Sequence, residues 1–165
     1  MRRAGALVIQ HMRGRIRVAL LDDARLDSTI DQGSRTSRSK PLTTECGTQG
    51  DGSMLAFSSA RQAVACAQAI QLEIERAFGD LAPPIRVRIG VHTGDAIKDA
   101  GQYIGSTVHF AARVAGQAIG GEVLVSSAVY ELVHASTPAV MFLEGREVEL
   151  KGVAGRHRVY ALAPA

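Results

Sequence analysis

The sequence has no tryptophan, and aromatic residues make up only 4% of its 165 positions. Its core must therefore come from Ala, Val, Ile and Leu, a set that suits layered α/β packing. Cysteine is nearly absent too. Cys46 and Cys66 have no C-x-x-C spacing and no histidine pair nearby, so neither a disulfide framework nor a zinc site is indicated and both are expected to be free thiols. No run approaches the roughly 18 apolar residues of a membrane span. The opening MRRAGALVIQHMRGR interrupts its short apolar stretch with His and Arg before a secretory core could form. These absences lead to the expectation of a cytoplasmic chain that folds as one domain, since the length is too short for two ordinary ones.

A pI of about 9.2 raises the question of nucleic-acid binding. The charge is unevenly spread: residues 1–40 carry nine Lys or Arg against four Asp, and the remainder is slightly acidic. No aromatic residue precedes Phe57, so the basic leader has nothing on which to stack a base. Specific nucleic-acid binding is not expected.

Residues 27–48 hold almost no large apolar side chain and show no sustained period, which reads as loop. Ile16–Leu21 could form a short strand ahead of Asp22-Asp23. From Gly50 onward the pattern sharpens. Gly50-Asp51-Gly52 is a tight-turn tripeptide at a hairpin tip, leading into a strand over Ser53–Phe57. Ser58-Ser59 can cap a helix whose apolar positions Ala60, Val64, Ala67, Ile70, Ile74 and Phe78 recur at helical spacing. Ile85 to Val91 alternates strictly, with β-branched residues on one side and Arg86, Arg88 and Gly90 on the other. His92-Thr93-Gly94-Asp95 then reads as a turn. A helix follows over about Ser106–Ile119 with an expected buried stripe of Val108, Ala112, Ala115 and Ile119, then a strand (EVLVS), a short helix from Ser127, and two terminal strands around Lys151–Gly155. This order predicts an α/β (α+β) sandwich, ferredoxin-like, with helices on one face of a mostly antiparallel sheet and the other face free for a ligand or partner.

Four strings now stand in order: TQGDGSMLAFSSARQAVACAQAIQ, IRVRIGVHTGDAI, GQYIGSTVHFAARVAGQAIGGEVLVSS and VELKGVAGRHRVYAL. Together they resemble the class III adenylate/guanylate cyclase catalytic domain across roughly residues 47–162. Each alone is a common kind of glycine-rich turn or amphipathic helix; four in register are far more specific. The resemblance implies a domain over residues 47–165, with 1–46 a basic, poorly structured or degenerate segment. It also implies a purine nucleoside triphosphate as substrate and a homodimer, or a heterodimer with another cyclase domain. Mg²⁺ or Mn²⁺, held by two aspartates, would activate the ribose 3′-hydroxyl toward the α-phosphate.

Carried over residue by residue, Asp51 matches the second metal-binding aspartate, although an Asp chosen only for its turn preference is the plainer reading. Arg113 matches the transition-state arginine, against the alternative of a solvated helix arginine. His109 stands where the family has an asparagine that positions the ribose; histidine is bulkier and lacks the paired donor and acceptor of a carboxamide. Gly47 and Gln102 occupy the two base-selecting positions, where a lysine and an Asp, Thr or Ser are usual. Lys151 resembles a lysine near the phosphates, or is merely exposed at a strand end. Arg86 and Arg88 add positive potential on the same sheet face, or are dimer-rim or solvated residues.

The family opens with a strand ending in an aspartate, roughly forty-odd residues before the G-D-G. No segment here fits both pattern and spacing. Leu20-Leu21-Asp22-Asp23 is a faint echo that lies too close to Asp51. The expectation is a domain whose catalytic apparatus is incomplete, a nucleotide-binding or dimerising pseudo-cyclase; the alternatives are an active adenylate cyclase with atypical residues or half of a heterodimeric cyclase.

Overall fold

The computed structural model describes residues 3–11, 43–49, 52–95, 97–99 and 102–164. In chain order these form β1 (Arg3–His11), β2 (Thr43–Gln49), β3 (Gly52–Phe57), α1 (Ala60–Phe78) and β4 (Val87–Asp95). They continue with β5 (Ile97–Asp99), β6 (Gln102–Ile104), α2 (Ser106–Gln117), β7 (Val123–Ser126), α3 (Ser127–Ser136), β8 (Arg146–Glu149) and β9 (Arg156–Ala161). Seven strands make one sheet in the order β2-β3-β1-β4-β7-β9-β8, antiparallel except for the β4–β7 pair, while β5 and β6 form a separate ribbon.

The fold class is the expected mixed α+β sandwich. Its layering is not. Val87, Ile89 and Val91 of β4 and Val123 and Val125 of β7 pack with Ala63, Val64, Ala67, Ile70 and Ile74 of α1 and Val129 and Val133 of α3. The alternate residues look the other way, where Met54, Ala56, Leu124, Val159 and Ala161 meet Ala111, Val114, Ala115 and Ala118 in and just beyond α2. Helices therefore cover both faces, and the second face is not left open. Gly90 explains why: a Cβ there would collide with the backbone of Ala111 and Ala115, so its absence lets α2 lie directly on β4.

That close approach also fixes the rotation of α2. The buried residues of the helix are Thr107, Ala111, Val114 and Ala115, while Val108 and Ala112 are half-buried and Ile119 is 71% exposed. Of the expected stripe Ala115 is buried, whereas Val108 and Ala112 lie at its margin and Ile119 outside it, because the smallest side chains must sit over the glycine. α1 follows expectation, with Ser59 Oγ accepting from the Gln62 amide at its start and Ala60, Val64, Ala67, Ile70 and Ile74 inward.

Two further corrections concern β1 and β4. The strand β1 lies in the middle of the sheet, antiparallel to both β3 and β4, and β2 continues the sheet beyond β3. The sheet therefore crosses the boundary expected at residue 46. His92 to Asp95, expected as a turn, instead continues β4, paired with Ala6 to Arg3 of β1. The strand suggested at Ile16–Leu21 and the candidate Asp22-Asp23 lie outside the described residues.

Candidate functional site

α2 carries two of the candidate residues. His109 and Arg113 sit one turn apart, and both are exposed because the helix's small side chains face the sheet. Between them Phe110 turns inward and stacks on His92 of β4, with ring centroids 4.2 Å apart. Its other side meets the edge of His157 on β9 at 5.1 Å. His92 Nδ1 lies 2.8 Å from the hydroxyl of buried Ser126 at the end of β7, and the Ala154 carbonyl accepts from His157 Nε2 at 2.9 Å. Burial, reinforced by the neighbouring His157, lowers the His92 pKa from 6.5 to about 4. Imidazole, phenyl and imidazole thus join β4, α2, β7, β9 and the turn that carries Lys151. The sequence does not reveal this cluster, because His92-Thr93-Gly94-Asp95 reads as a turn.

Lys151 is exposed in the β8–β9 connection, where Gly152 and Gly155 take positive φ of 78° and 85°. A cavity of about 480 Å³ opens there, lined by Glu149, Leu150, Lys151, Val153 and Arg156 and by Gln117 at the end of α2. Gln117 Nε2 donates to the Glu149 carbonyl at 3.2 Å, tying the helix to this connection. The structure therefore brings Lys151 beside the C-terminal end of α2. At that same end Arg146 makes a bidentate ion pair with Glu122, at 2.8 and 2.9 Å, while Glu122 accepts from the Ile119 amide.

Gly47 and Gln102 lie in β2, an edge of the sheet, and in the separate ribbon. Gly47 stands in β2 where the pairing with β3 shifts register between Glu45 and Thr48, an extra-residue irregularity that a glycine accommodates well. Gln102 opens β6, opposite Asp99. Asp51 lies outside the described residues, but Gly52 beside it pairs with Gln49 of β2 and with Gln10 of β1. The last residues of β1 are thus neighbours of the hairpin that carries Asp51. On the other side of β1, Gln10 pairs with Arg88 of β4. Arg88 is half-buried, and its Nε is fully buried with no hydrogen-bond acceptor among the described residues.

Among solved structures, the adenylate/guanylate cyclase/hydrolase of Silicibacter pomeroyi superimposes with a TM-score of 0.73 at 22% identity, covering 99% of this chain and 97% of that one. The adenylyl cyclase CyaB of P. aeruginosa gives 0.68 at 18% identity, covering 99% and 94%. At such identities the likeness speaks for the fold, and the fold is that of the class III cyclases. Residues 24–164 match the family model described as the adenylate and guanylate cyclase catalytic domain, and the chain belongs to that family. An uncharacterized Mycobacterium tuberculosis protein is 40% identical over 95 residues, which is 58% of this chain and 31% of that protein. The chain thus spans less than a third of that relative's length.

The family uses divalent metals, so the donor set is decisive. β1 reads RAGALVIQH and holds no carboxylate. It ends, beside the hairpin, in a neutral amide residue and an imidazole residue, Gln10 and His11. Mg²⁺ favours anionic and water oxygens in near-octahedral array. Among the described residues no group of three or more His, Cys, Asp or Glu side chains is placed to hold a metal ion. The described residues of β1 offer no anionic oxygen to a pair of magnesium ions.

Proposed function

We propose that this domain is a nucleotide-binding, dimer-forming cyclase homologue that has lost cyclase activity, a pseudo-cyclase of the cytoplasm. The observation that carries the reading is the end of β1. A strand occupies the central position next to the hairpin, His11 lies forty residues before Asp51, and neither Gln10 nor His11 can replace an aspartate as an anionic oxygen ligand. When bound, the two ions would lower the pKa of the attacking ribose hydroxyl and neutralise the triphosphate. Without an anionic anchor on β1, Asp51 has no carboxylate partner on that strand with which to share them. His109 in place of an asparagine weakens ribose positioning further, and a misplacement of about an ångström can cost about a hundredfold in rate. The buried thiol of Cys66, unpaired among the described residues, suits a reducing compartment.

The test is direct. The purified chain, incubated with ATP or GTP and Mg²⁺ or Mn²⁺, should give no cyclic nucleotide while still binding a non-hydrolysable analogue. Cyclic product that disappears in Asp51→Ala would refute the reading. A second reading is favoured by one observation: Arg113 is exposed on α2 and makes no ion pair among the described residues. In a heterodimer whose partner keeps both aspartates, Arg113 would complete the partner's site. Mixing with such a partner should then yield activity that Arg113→Ala abolishes, and an unchanged rate in that variant would exclude the arrangement.

A further inference from the structure

We propose that the cavity between α3, β9 and the connection from α3 to β8 binds a small planar aromatic carboxylate. This cavity opens on the face of the sheet away from α2, His109 and Arg113, because Tyr160 points opposite to Val159, which packs with α2.

Aromatic side chains are scarce in this protein, with three Tyr and four Phe, yet Tyr130, Tyr160 and Phe142 converge here. Tyr130 of α3 stacks on Tyr160 of β9, with centroids 3.8 Å apart and planes within 8°. His134, one turn along α3, stacks on Tyr130 at 5.0 Å, and Phe142 stands across Tyr130 at 5.1 Å. Gly145 makes room for the stack, since a Cβ there would come within 2.6 Å of the Tyr160 ring. Backbone hydrogen bonds hold the wall in place. The Leu143 amide donates to the Ala161 carbonyl at 2.8 Å, and the Ala163 amide to the Met141 carbonyl at 3.0 Å. The volume, about 430 Å³, is that of a small-molecule site. Packing accounts for the inner edges of the rings, which touch the aliphatic core. It leaves the His134 imidazole exposed, with Met141 and Leu143 66% and 52% exposed at the rim. A flat ring system laid against the stack would cover these groups, and the flexible Met141 thioether can fold over it.

Alternate residues of β9 grade from core to water along this face. Leu162 enters the aliphatic core, Tyr160 is half-buried, and Arg158 is exposed where it lines the cavity. Glu147, directly across from Arg158 in the β8–β9 ladder, is engaged by Arg156 at 3.5 Å. Arg158 makes no ion pair among the described residues. Its guanidinium always carries its proton and presents a planar fork matched to a carboxylate. Glu144 lines the same cavity and disfavours a second negative charge, which separates a carboxylate from the more highly charged phosphates. A ring for the tyrosine stack and one carboxylate for Arg158 together define the ligand.

The full chain is titrated calorimetrically with naphthoate and with its uncharged amide. Naphthoate should bind with a Kd of about 1 mM or tighter, and the amide at least about tenfold more weakly. Arg158→Gln should bring naphthoate down to the level of the amide, Arg158→Lys should keep part of the difference, and Arg61→Gln, on exposed α1 surface, should change nothing. Tyr130→Leu should weaken both compounds alike. If that variant does not fold, shifts of the Tyr130 and Tyr160 ring resonances in the parent report the same contact, and unmoved resonances count against it. Equal affinity for the acid and the amide, or no binding of either, would overturn the proposal. Displacement of naphthoate by a non-hydrolysable ATP analogue would move the binding to the nucleotide cleft, with the same consequence. So would a lower mass for Leu143→Glu than for the parent in light scattering, because a second copy of the chain would then cover this face.

Discussion

The two faces of the sheet are built from different materials. The face under α1 and α3 is filled by Val64, Ile89, Val91, Val125 and Val129, interlocked branched aliphatics with no exposure. The face under α2 is mixed: glycine and alanine where the helix crosses β4, buried Val114, Leu124 and Val159 farther along, and a histidine–phenylalanine–histidine column. Branched side chains maximise buried apolar area and tolerate little change of volume. Small ones bring a helix backbone close to a strand, which positions whatever the helix carries on its outer side. The first face holds the larger aliphatic cluster, while the second, with a smaller one of its own, also places His109 and Arg113.

Substitutions that exchange the two materials test this division. The largest loss is expected from Ile89→Ala, which hollows the aliphatic face and should cost about 2–5 kcal/mol in chemical denaturation. Hydrogen exchange should then rise throughout the domain. Gly90→Val fills the opposite face where there is no room, and overpacking typically costs about 1–3 kcal/mol. Here the loss of amide protection should concentrate in α2; uniform loss would mean that the faces are not separable.

Acid gives a gentler version of the same test. His92 takes up a proton at about 4 when folded, against 6.5 as its ordinary value. Between those limits the unfolded chain binds the extra proton, so stability is fully present above about 6.5 and declines as pH falls toward 4. His92→Gln should flatten this part of the profile, and an unchanged slope would locate the acid sensitivity elsewhere. The smallest effect is expected for Arg146→Ala. Its ion pair with Glu122 is partly exposed, so about 1 kcal/mol or less should be lost.

Legibility in the sequence follows the same division. α1 and the first half of β4 could be read because a half-buried element alternates at a fixed period. β1 could not. It is partnered on both sides by strands distant in sequence, and RAGALVIQH mixes small and aliphatic residues without alternation. The rotation of α2 escaped because Val108, Ala112 and Ile119 are as apolar as the residues that are actually buried; only the contact with Gly90 distinguishes them. His92 was hidden by the turn-like Thr93-Gly94-Asp95 that follows it. Of the candidate residues, His109 and Arg113 are exposed one turn apart on α2, and Lys151 is exposed after β8. The sequence also contained the end of β1, but without a carboxylate there was no pattern to mark it.

The central place of β1 bears on how the chain is made. Residues 3–11 are made before both of their partners, and the second, β4, emerges only after α1 has been synthesised. Pairings between distant segments close slowly. Until this one closes, β3 and β4 present facing, unfilled edges to any matching strand in the vicinity. The best match in a concentrated solution is the same segment of another newly made chain, so refolding yield should fall, and exchanged oligomers accumulate, as protein concentration rises.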